Sequence, residues 1–425
     1  MNTLSVLYMR MCNVFNLHGG VVLKVLDWLG YRFSNVLFCL YALVPHRQEK
    51  CDETRRILII SDDMIGDALV RMPLYAALRR RYPRDGEDRW RITIAVLPSV
   101  ASLFKDAPFF DEVIESPGIC THCHSILWFL DHGFSASNML KWSRSHLVEI
   151  LVNPVRVRSL GYDYMLRLTR PRLSIAYDTG IISKQYPMTG SYQRRCCDRL
   201  YTHLVPARTG VSQTEDFRRI FGLVAGDGSC LTPCTVGDVS TILRSVKCRL
   251  SDRYIVLVPG ANVPLRRWPA DRFAEVANQL LANLSSDFMA VIVGVQSESF
   301  LGEEIMRHMN GRAVNLCGKT SLAELGTILM HAALVVTNET GTATYSAIVG
   351  APTVCIVGGG DFNAFFPTDF YKNVKSVFRK EDCFFCRWKC PKTISGNGAA
   401  PCITSVSVAD VVTAAEPLMR IAANC

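Results

Sequence analysis

The stretch RRILIISDDMIGDALVRMP, Arg55–Pro73, decides how the chain is read. Its first half, ILIIS, is a short unbroken apolar run, the pattern of a parallel strand buried on both faces. From Ile65 the spacing turns helical, and the motif predicts a helix over about Ile65 to Tyr82. In α/β folds the turn between such a strand and helix is where ligands bind. A phosphate-binding turn is rich in glycine and poor in acids, because backbone N–H groups must face an anion. This turn has a single glycine, Gly66, and three carboxylates, Asp62, Asp63 and Asp67. It is built for something other than a phosphate.

Outward from this unit, strand and helix keep alternating. RITIAVLP (Arg91–Pro98) reads as the next strand, followed by FFDEVIES and a less regular basic region. YDYMLRL and RLSIAYDTG read as short strands within Ser159 to Gly222. A second series begins at RYIVLVPGA (Arg253–Ala261) and continues with helix DRFAEVANQLLANL, strand FMAVIVG, helix SLAELGTILMHA, strand ALVVTN, helix GTATYSAIVG and strand PTVCIVGGG. A last helix near Val408 to Ala422 packs on one half or the other. This alternation predicts parallel sheets covered on both faces. At 425 residues the chain exceeds one ordinary core. The expected division is an N-terminal apolar segment 1–54, a Rossmann-like domain 55–235 and a second Rossmann-like domain 236–425, the two domains facing a central cleft.

Hydrophobic residues make up 49% and charged residues 20%, a globular balance. The net charge is +9, and Lys141 to Arg172 alone carries seven Lys/Arg against two acids. Such a stripe can meet an anionic substrate, an anionic membrane or nucleic acid. No zinc-finger, KH or RRM signature is present, so nucleic acid is not expected as a partner. The seventeen cysteines lack the regular spacing of a small secreted domain, and no signal peptide opens the chain. A cytoplasmic protein with mostly reduced thiols is expected. VVLKVLDWLGYRFSNVLFCLYALVP is apolar but interrupted by Lys24, Asp27 and Arg32, and its clean part is too short to span a bilayer. It is either an interfacial helix, placing the protein peripherally on the inner face of the cytoplasmic membrane, or a helix packed on the protein's own surface. CTHCHS (Cys120–Ser125) has no second ligand pair nearby and reads as loop thiols.

The second half carries the anion chemistry. In VPGANVPLRRWPADRF a strand ends at Pro259–Gly260, and a loop with Ala261, Asn262, Arg266 and Arg267 leads to a helix opened by Pro269. Backbone donors, a helix N-terminus and guanidinium groups there suit a diphosphate, where the alternative is a solvated basic loop. Glu298, in the turn after IVG, is placed either to accept from ribose hydroxyls or to cap its helix. Asn338, Glu339, Thr340, Gly341 and Thr342 join another strand end to another helix start, a second anion-binding position. Near the end, Cys383, Cys386, Cys390 and Cys402 form C-x2-C-x3-C-x11-C, which either holds zinc or iron tetrahedrally or is a set of reduced thiols.

These segments resemble glycosyltransferase family 9, the heptosyltransferases of lipopolysaccharide assembly. The marks are SDDMIGDALVRMPLYAALRRRYP, YIVLVPGANVPLRRWPADRFAEVA, NLCGKTSLAELGTILMHAALVVTNETGTATYSAIVGAPTVCIVGG and DCFFCRWKC. In order and spacing they cover roughly residues 55 to 420, and not the first fifty. The resemblance implies an α/β GT-B fold and an inverting, metal-independent transfer that requires no cofactor. It implies a nucleotide-sugar donor of the ADP-heptose kind, and a lipopolysaccharide, glycolipid or other surface-glycan acceptor. It makes Asp67 the general base, Arg266 the group that neutralises the diphosphate, Glu298 the ribose ligand and the NETG segment a phosphate site. Some protein-modifying members hold iron on cysteines spaced differently from these, which leaves a structural zinc or iron as an expectation here. The chain departs from the family where Arg266 replaces a frequent lysine, Glu339 a frequent aspartate and Thr344 a frequent histidine, so the donor sugar stays open. Transfer to a protein such as an adhesin, or nucleotide and glycan binding without turnover, are the alternatives. From the residues alone Asp67 is either a first-turn helix acid or a base; with it as base, as the resemblance implies, the acids of the first turn have a role: an acceptor hydroxyl must lose its proton as the sugar is transferred.

Overall fold

The computed structural model describes residue 36 and, apart from short interruptions, residues 54–115, 141–180, 197–225 and 253–423. The N-terminal apolar stretch and CTHCHS lie outside the described residues, as do Asp62 and Asp63. The chain divides into two compact units, one carrying β1–β6 and the other β7–β12; the segments Ile65–Pro73 and Thr209–Glu215 belong with the second unit.

In the first unit, β1 (Arg55–Ser61), β2 (Trp90–Val96), β3 (Glu112–Glu115), β4 (Ile150–Asn153), β5 (Leu173–Tyr177) and β6 (His203–Val205) form a parallel sheet in the order β3-β2-β1-β4-β5-β6. This is the doubly wound Rossmann order, reversing direction between β1 and β4. Ile57, Leu58, Ile59 and Ile60 are fully buried, as the unbroken apolar run requires of a central strand. The helix expected over Ile65 to Tyr82 is two helices, α1 (Ile65–Val70) and α2 (Met72–Arg81). Pro73 causes the break: lacking an N–H and crowding the carbonyl four residues back, it is tolerated only in a helix's first turn.

YDYMLRL is a second correction. It lies in a helix, α4 (Leu160–Thr169), after α3 (Pro98–Lys105). Tyr162, Asp163, Met165, Leu166 and Thr169 are buried, and their spacing is that of one helix face. Asp163 is part of a buried polar network. The Arg158 guanidinium, 1% exposed, lies 3.3 Å from Asp163, and it donates to Asp198 at 2.6 Å and to the Tyr177 carbonyl at 2.6 Å. Tyr201 donates to Asp163 at 2.9 Å and accepts from Asn153 at 3.1 Å. The basic stripe is thus partly neutralised from within: Arg156 pairs with Asp216 and Arg172 with Glu149, each at 2.8 Å.

The second unit repeats the order. β7 (Tyr254–Val258), β8 (Met289–Ile292), β9 (Ala313–Asn315), β10 (Leu334–Asn338), β11 (Thr353–Ile356) and β12 (Val374–Val377) are parallel in the order β12-β11-β10-β7-β8-β9. With α5 (Gln213–Ala225) preceding them, its helices are α6 (Ala270–Ala282), α7 (Ser299–His308), α8 (Leu322–Met330), α9 (Gly341–Ile348), α10 (Pro401–Thr404) and α11 (Val408–Ala423). α11 packs on this unit: Val411, Ala415 and Leu418 share its core with Trp268, Phe273 and Ala277. Among the described residues no helix is long and apolar enough to cross a membrane.

Removing one partner from a buried ionic network strands the others in a low dielectric. Arg158→Met is expected to lower unfolding free energy by about 3–5 kcal/mol, read from urea denaturation.

Candidate active site

β7 and β10 are hydrogen-bonded neighbours, yet the chain leaves them in opposite directions, toward β8 and toward β11. At such a switch point the loops part and leave a crevice at the carboxyl ends of the strands. The residues after β7 and β10 therefore line the natural ligand site of this unit.

After β7 come Pro259 and Gly260. A Cβ on Gly260 would overlap the Glu298 carboxylate, so this position needs glycine for close approach rather than for a turn. Glu298 is 9% exposed and accepts from the Val295 N–H at 3.1 Å, capping the turn before α7. Ala261 is buried and Asn262 exposed. The structure separates the two arginines. Arg267 Nε donates to the Ala261 carbonyl at 2.8 Å and braces the loop. Arg266 sits in a single 3-10 turn, Pro264–Arg266, and donates to Asp361 Oδ2 at 2.8 Å.

After β10, the Asn338 carboxamide joins both loops, donating to the Pro259 carbonyl at 2.8 Å and accepting from the Trp268 N–H at 3.0 Å. Glu339 follows, 4% exposed; neither carboxyl oxygen makes a well-formed hydrogen bond, and the Phe366 backbone N–H is close enough to pull on the carboxyl. Burial pushes its carboxyl up to about 8, against the pull of the Arg266 guanidinium, while Asp361 pushes it further up. The Thr340 hydroxyl and Arg266 Nε are also buried without partners. Buried polar groups are nearly always hydrogen-bonded, so a group of exceptions in one crevice needs an explanation, and a bound polar ligand supplies one. Thr340 is the N-cap of α9, and its side chain makes no capping bond, leaving the first N–H groups of Gly341 and Thr342 for an anion.

Asp67 stands in the first turn of α1, half-buried. The start of α1 meets the start of α9 through glycines: a Cβ on Gly66 would lie 3.3 Å from the Gly341 Cα, and one on Gly341 would overlap Ile65. Asp67, one residue on, is thereby placed at the same end of α9 as Glu339, Thr340 and Thr342.

Cys383, Cys386 and Cys390 lie close enough to Cys402 to push its thiol up, after burial, and among the described residues no three His, Cys, Asp or Glu side chains are spaced to hold a metal ion. Cys402 is buried and accepts from the Gly359 N–H at 3.4 Å, while the other three are half-buried. Two site residues escaped sequence reasoning. Asp361 takes the Arg266 ion pair, and Trp388 donates its indole N–H to the same Asp361 oxygen at 2.9 Å with Arg266 over its ring at 4.7 Å. The run of glycines before Asp361 was the available signal for the first; nothing in CRWKC marked the second.

Two Rossmann-ordered units, one with a crevice of unpaired polar groups at a helix start, have the architecture of the GT-B fold class. The family model for glycosyltransferase family 9 (heptosyltransferase) matches residues 236–387. Lipooligosaccharide heptosyltransferase 2 of Haemophilus influenzae is 30% identical over 320 residues, covering 71% of this chain and 83% of that protein. The chain belongs to glycosyltransferase family 9, and it is a glycosyltransferase. Its fold is that of the E. coli ADP-heptose lipopolysaccharide heptosyltransferase II, with a TM-score of 0.60, 16% identity, and coverage of 86% of this chain and 99% of that one. An E. coli heptosyltransferase solved with ADP gives a TM-score of 0.59 at 14% identity, covering 87% of this chain and 100% of that one.

The state of Glu339 has a measurable consequence. Between pH about 4.5 and about 8 the folded chain keeps a proton that the unfolded chain has released, so this group makes stability fall as pH rises across that window and level off above it. Glu339→Gln should remove the fall and be the more stable protein at pH 9, by an amount on the order of a few kcal/mol, with little difference near pH 4.5. Urea midpoints of both proteins across this range check it.

Proposed function

We propose that the protein transfers a heptose from a nucleoside-diphosphate donor, ADP-heptose, to a lipopolysaccharide-type acceptor, with inversion at the sugar. The observation that carries the donor site is the group of unpartnered buried polar atoms on Glu339, Thr340 and Arg266, at a strand switch point and a helix start. Heptose and a lipooligosaccharide acceptor follow the name of the Haemophilus relative. ADP follows the nucleotide named for both E. coli fold neighbours.

In this reading the diphosphate lies on the N–H groups at the start of α9, with Arg266 on its phosphate oxygens. The ribose hydroxyls donate to Glu298, whose carboxylate lies against Gly260. A buried, protonated Glu339 offers an O–H to a donor oxygen and keeps a second negative charge away from the phosphates. Asp67 takes the proton from the acceptor hydroxyl as that oxygen attacks the anomeric carbon and the nucleoside diphosphate leaves from the opposite face. Arg266 and the α9 N-terminus stabilise the charge that grows on the leaving group. The charge at the leaving group then comes from the protein, and the proposed transfer is metal-independent.

Two substitutions test the assignment. Asp67→Asn keeps the size of the side chain and cannot take a proton. It should lower turnover by roughly two to four orders of magnitude while ADP affinity stays nearly unchanged. Arg266→Ala should weaken ADP binding about tenfold or more, since it deletes a charge-assisted contact. Radiolabelled-donor turnover and calorimetry measure the two. Normal turnover in Asp67→Asn would return Asp67 to the role of a first-turn helix acid. Nucleotide binding with no sugar transfer by the native chain would mark a binding protein instead.

A further inference from the structure

The cysteine-rich segment 383–390 has no role in the reaction as described. Its position gives it one. β11 leaves the sheet through Gly358, Gly359 and Gly360, and the segment lies directly on these glycines. A Cβ at Gly358 or Gly360 would overlap the Trp388 indole, and one at Gly359 would overlap the Phe384 ring. Two backbone hydrogen bonds fasten the contact, from the Phe385 N–H to the Gly359 carbonyl at 2.6 Å and from the Arg387 N–H to the Gly360 carbonyl at 2.8 Å. Phe385, Arg387 and Trp388 adopt φ values of 68°, 52° and 58°, a left-handed conformation that bulky residues rarely enter. Such backbone persists where its surroundings over-determine it, and the strain is commonly spent on placing one side chain.

The side chain placed here is Trp388. Its ring face lies 4.7 Å beneath the Arg266 guanidinium, and its N–H holds Asp361, whose same oxygen holds Arg266. The arginine is therefore fixed on two sides, by a ring below and a carboxylate at one nitrogen. A free arginine side chain gives up substantial rotamer entropy on binding an anion; one already held gives up less.

We propose that Trp388 is a positioning residue for Arg266, and that the segment 383–390 is the bracket that sets this arginine toward the β-phosphate of a nucleoside diphosphate. The inference rests on the reading above, in which Arg266 meets the diphosphate.

The test is calorimetry of the full chain with ADP and with AMP, which lacks the β-phosphate. Trp388→Leu removes both the ring and the N–H. It should weaken ADP binding about tenfold and AMP binding by less than about twofold. Trp388→Phe keeps a smaller aromatic face and loses the N–H, so it should show the same selectivity for ADP with a smaller loss, about threefold. Should Trp388→Leu fail to fold, Trp388→Phe alone carries the test. Equal weakening of both nucleotides, or native ADP affinity in a folded variant, overturns the proposal. Arg266→Ala separates the two levels. If it weakens ADP while the Trp388 variants do not, the bracket fails and the donor site stands. If it binds ADP as the native chain does, the donor-site reading fails, and the bracket with it.

Discussion

The Asn338 carboxamide is the contact on which the second unit's site depends. At the switch point, the strands no longer run side by side, and the Pro259 carbonyl and the Trp268 N–H have no ladder to join. Left buried and unpaired, each would cost about 1–3 kcal/mol. A side-chain amide supplies a donor and an acceptor together, and Asn338 uses one for each group. The loop bearing Arg266 is thus pinned at both ends to the tip of β10. Glu339 and Thr340, next along the chain, are buried there with no well-formed side-chain hydrogen bond of their own. The pairing that closes the backbone is what leaves the site open to a ligand.

Charge in that crevice is balanced by burial as much as by sequence. Counted from the residues alone, Glu339 and Asp361 outnumber Arg266, a poor arrangement for an anion. Burial pushes the Glu339 carboxyl up to about 8, which weakens its negative charge beside the Arg266–Asp361 ion pair. In the proposed reading a diphosphate there would meet the held Arg266 guanidinium and the N-terminus of α9, with Asp361 at one guanidinium nitrogen.

Much of the fold was written in local pattern. Runs such as ILIIS, YIVLV and LVVTN are apolar apart from at most their last two residues because both faces of a central parallel strand are covered, and each is a strand in the structure. Short edge elements carried less: β6 is only three residues long, with two of them exposed, and offers no apolar run. YDYMLRL misled because its tyrosines alternate with polar residues over the first positions, while the burial that makes it a helix depends on Arg158 and Asp198 elsewhere in the chain. At the site, Gly260, Arg266, Glu298 and the NETG segment were legible because strand ends and helix starts have their own signatures. Asp361 was not, since its contact with Arg266 spans 95 residues. The cysteines drew attention to their segment for their metal-binding spacing, yet the side chain that reaches the site is the tryptophan among them.

The two units also show why topology leaves function undecided. β1 and β7 occupy the same place in the same strand order, and each feeds a loop leading to a helix. After β7 the chain runs PGANVPLRRW, and after β1 it runs DDMIGD. A Rossmann strand supplies only a position and a helix dipole, and the residues in the turn determine which charge is presented there. In the proposed reaction arginine with backbone donors would meet the leaving diphosphate, and an aspartate beside a lone glycine would take the proton. Group transfer needs both, a cation where negative charge leaves and a carboxylate where a hydroxyl becomes a nucleophile. A duplicated phosphate turn would have supplied the first twice and the second not at all.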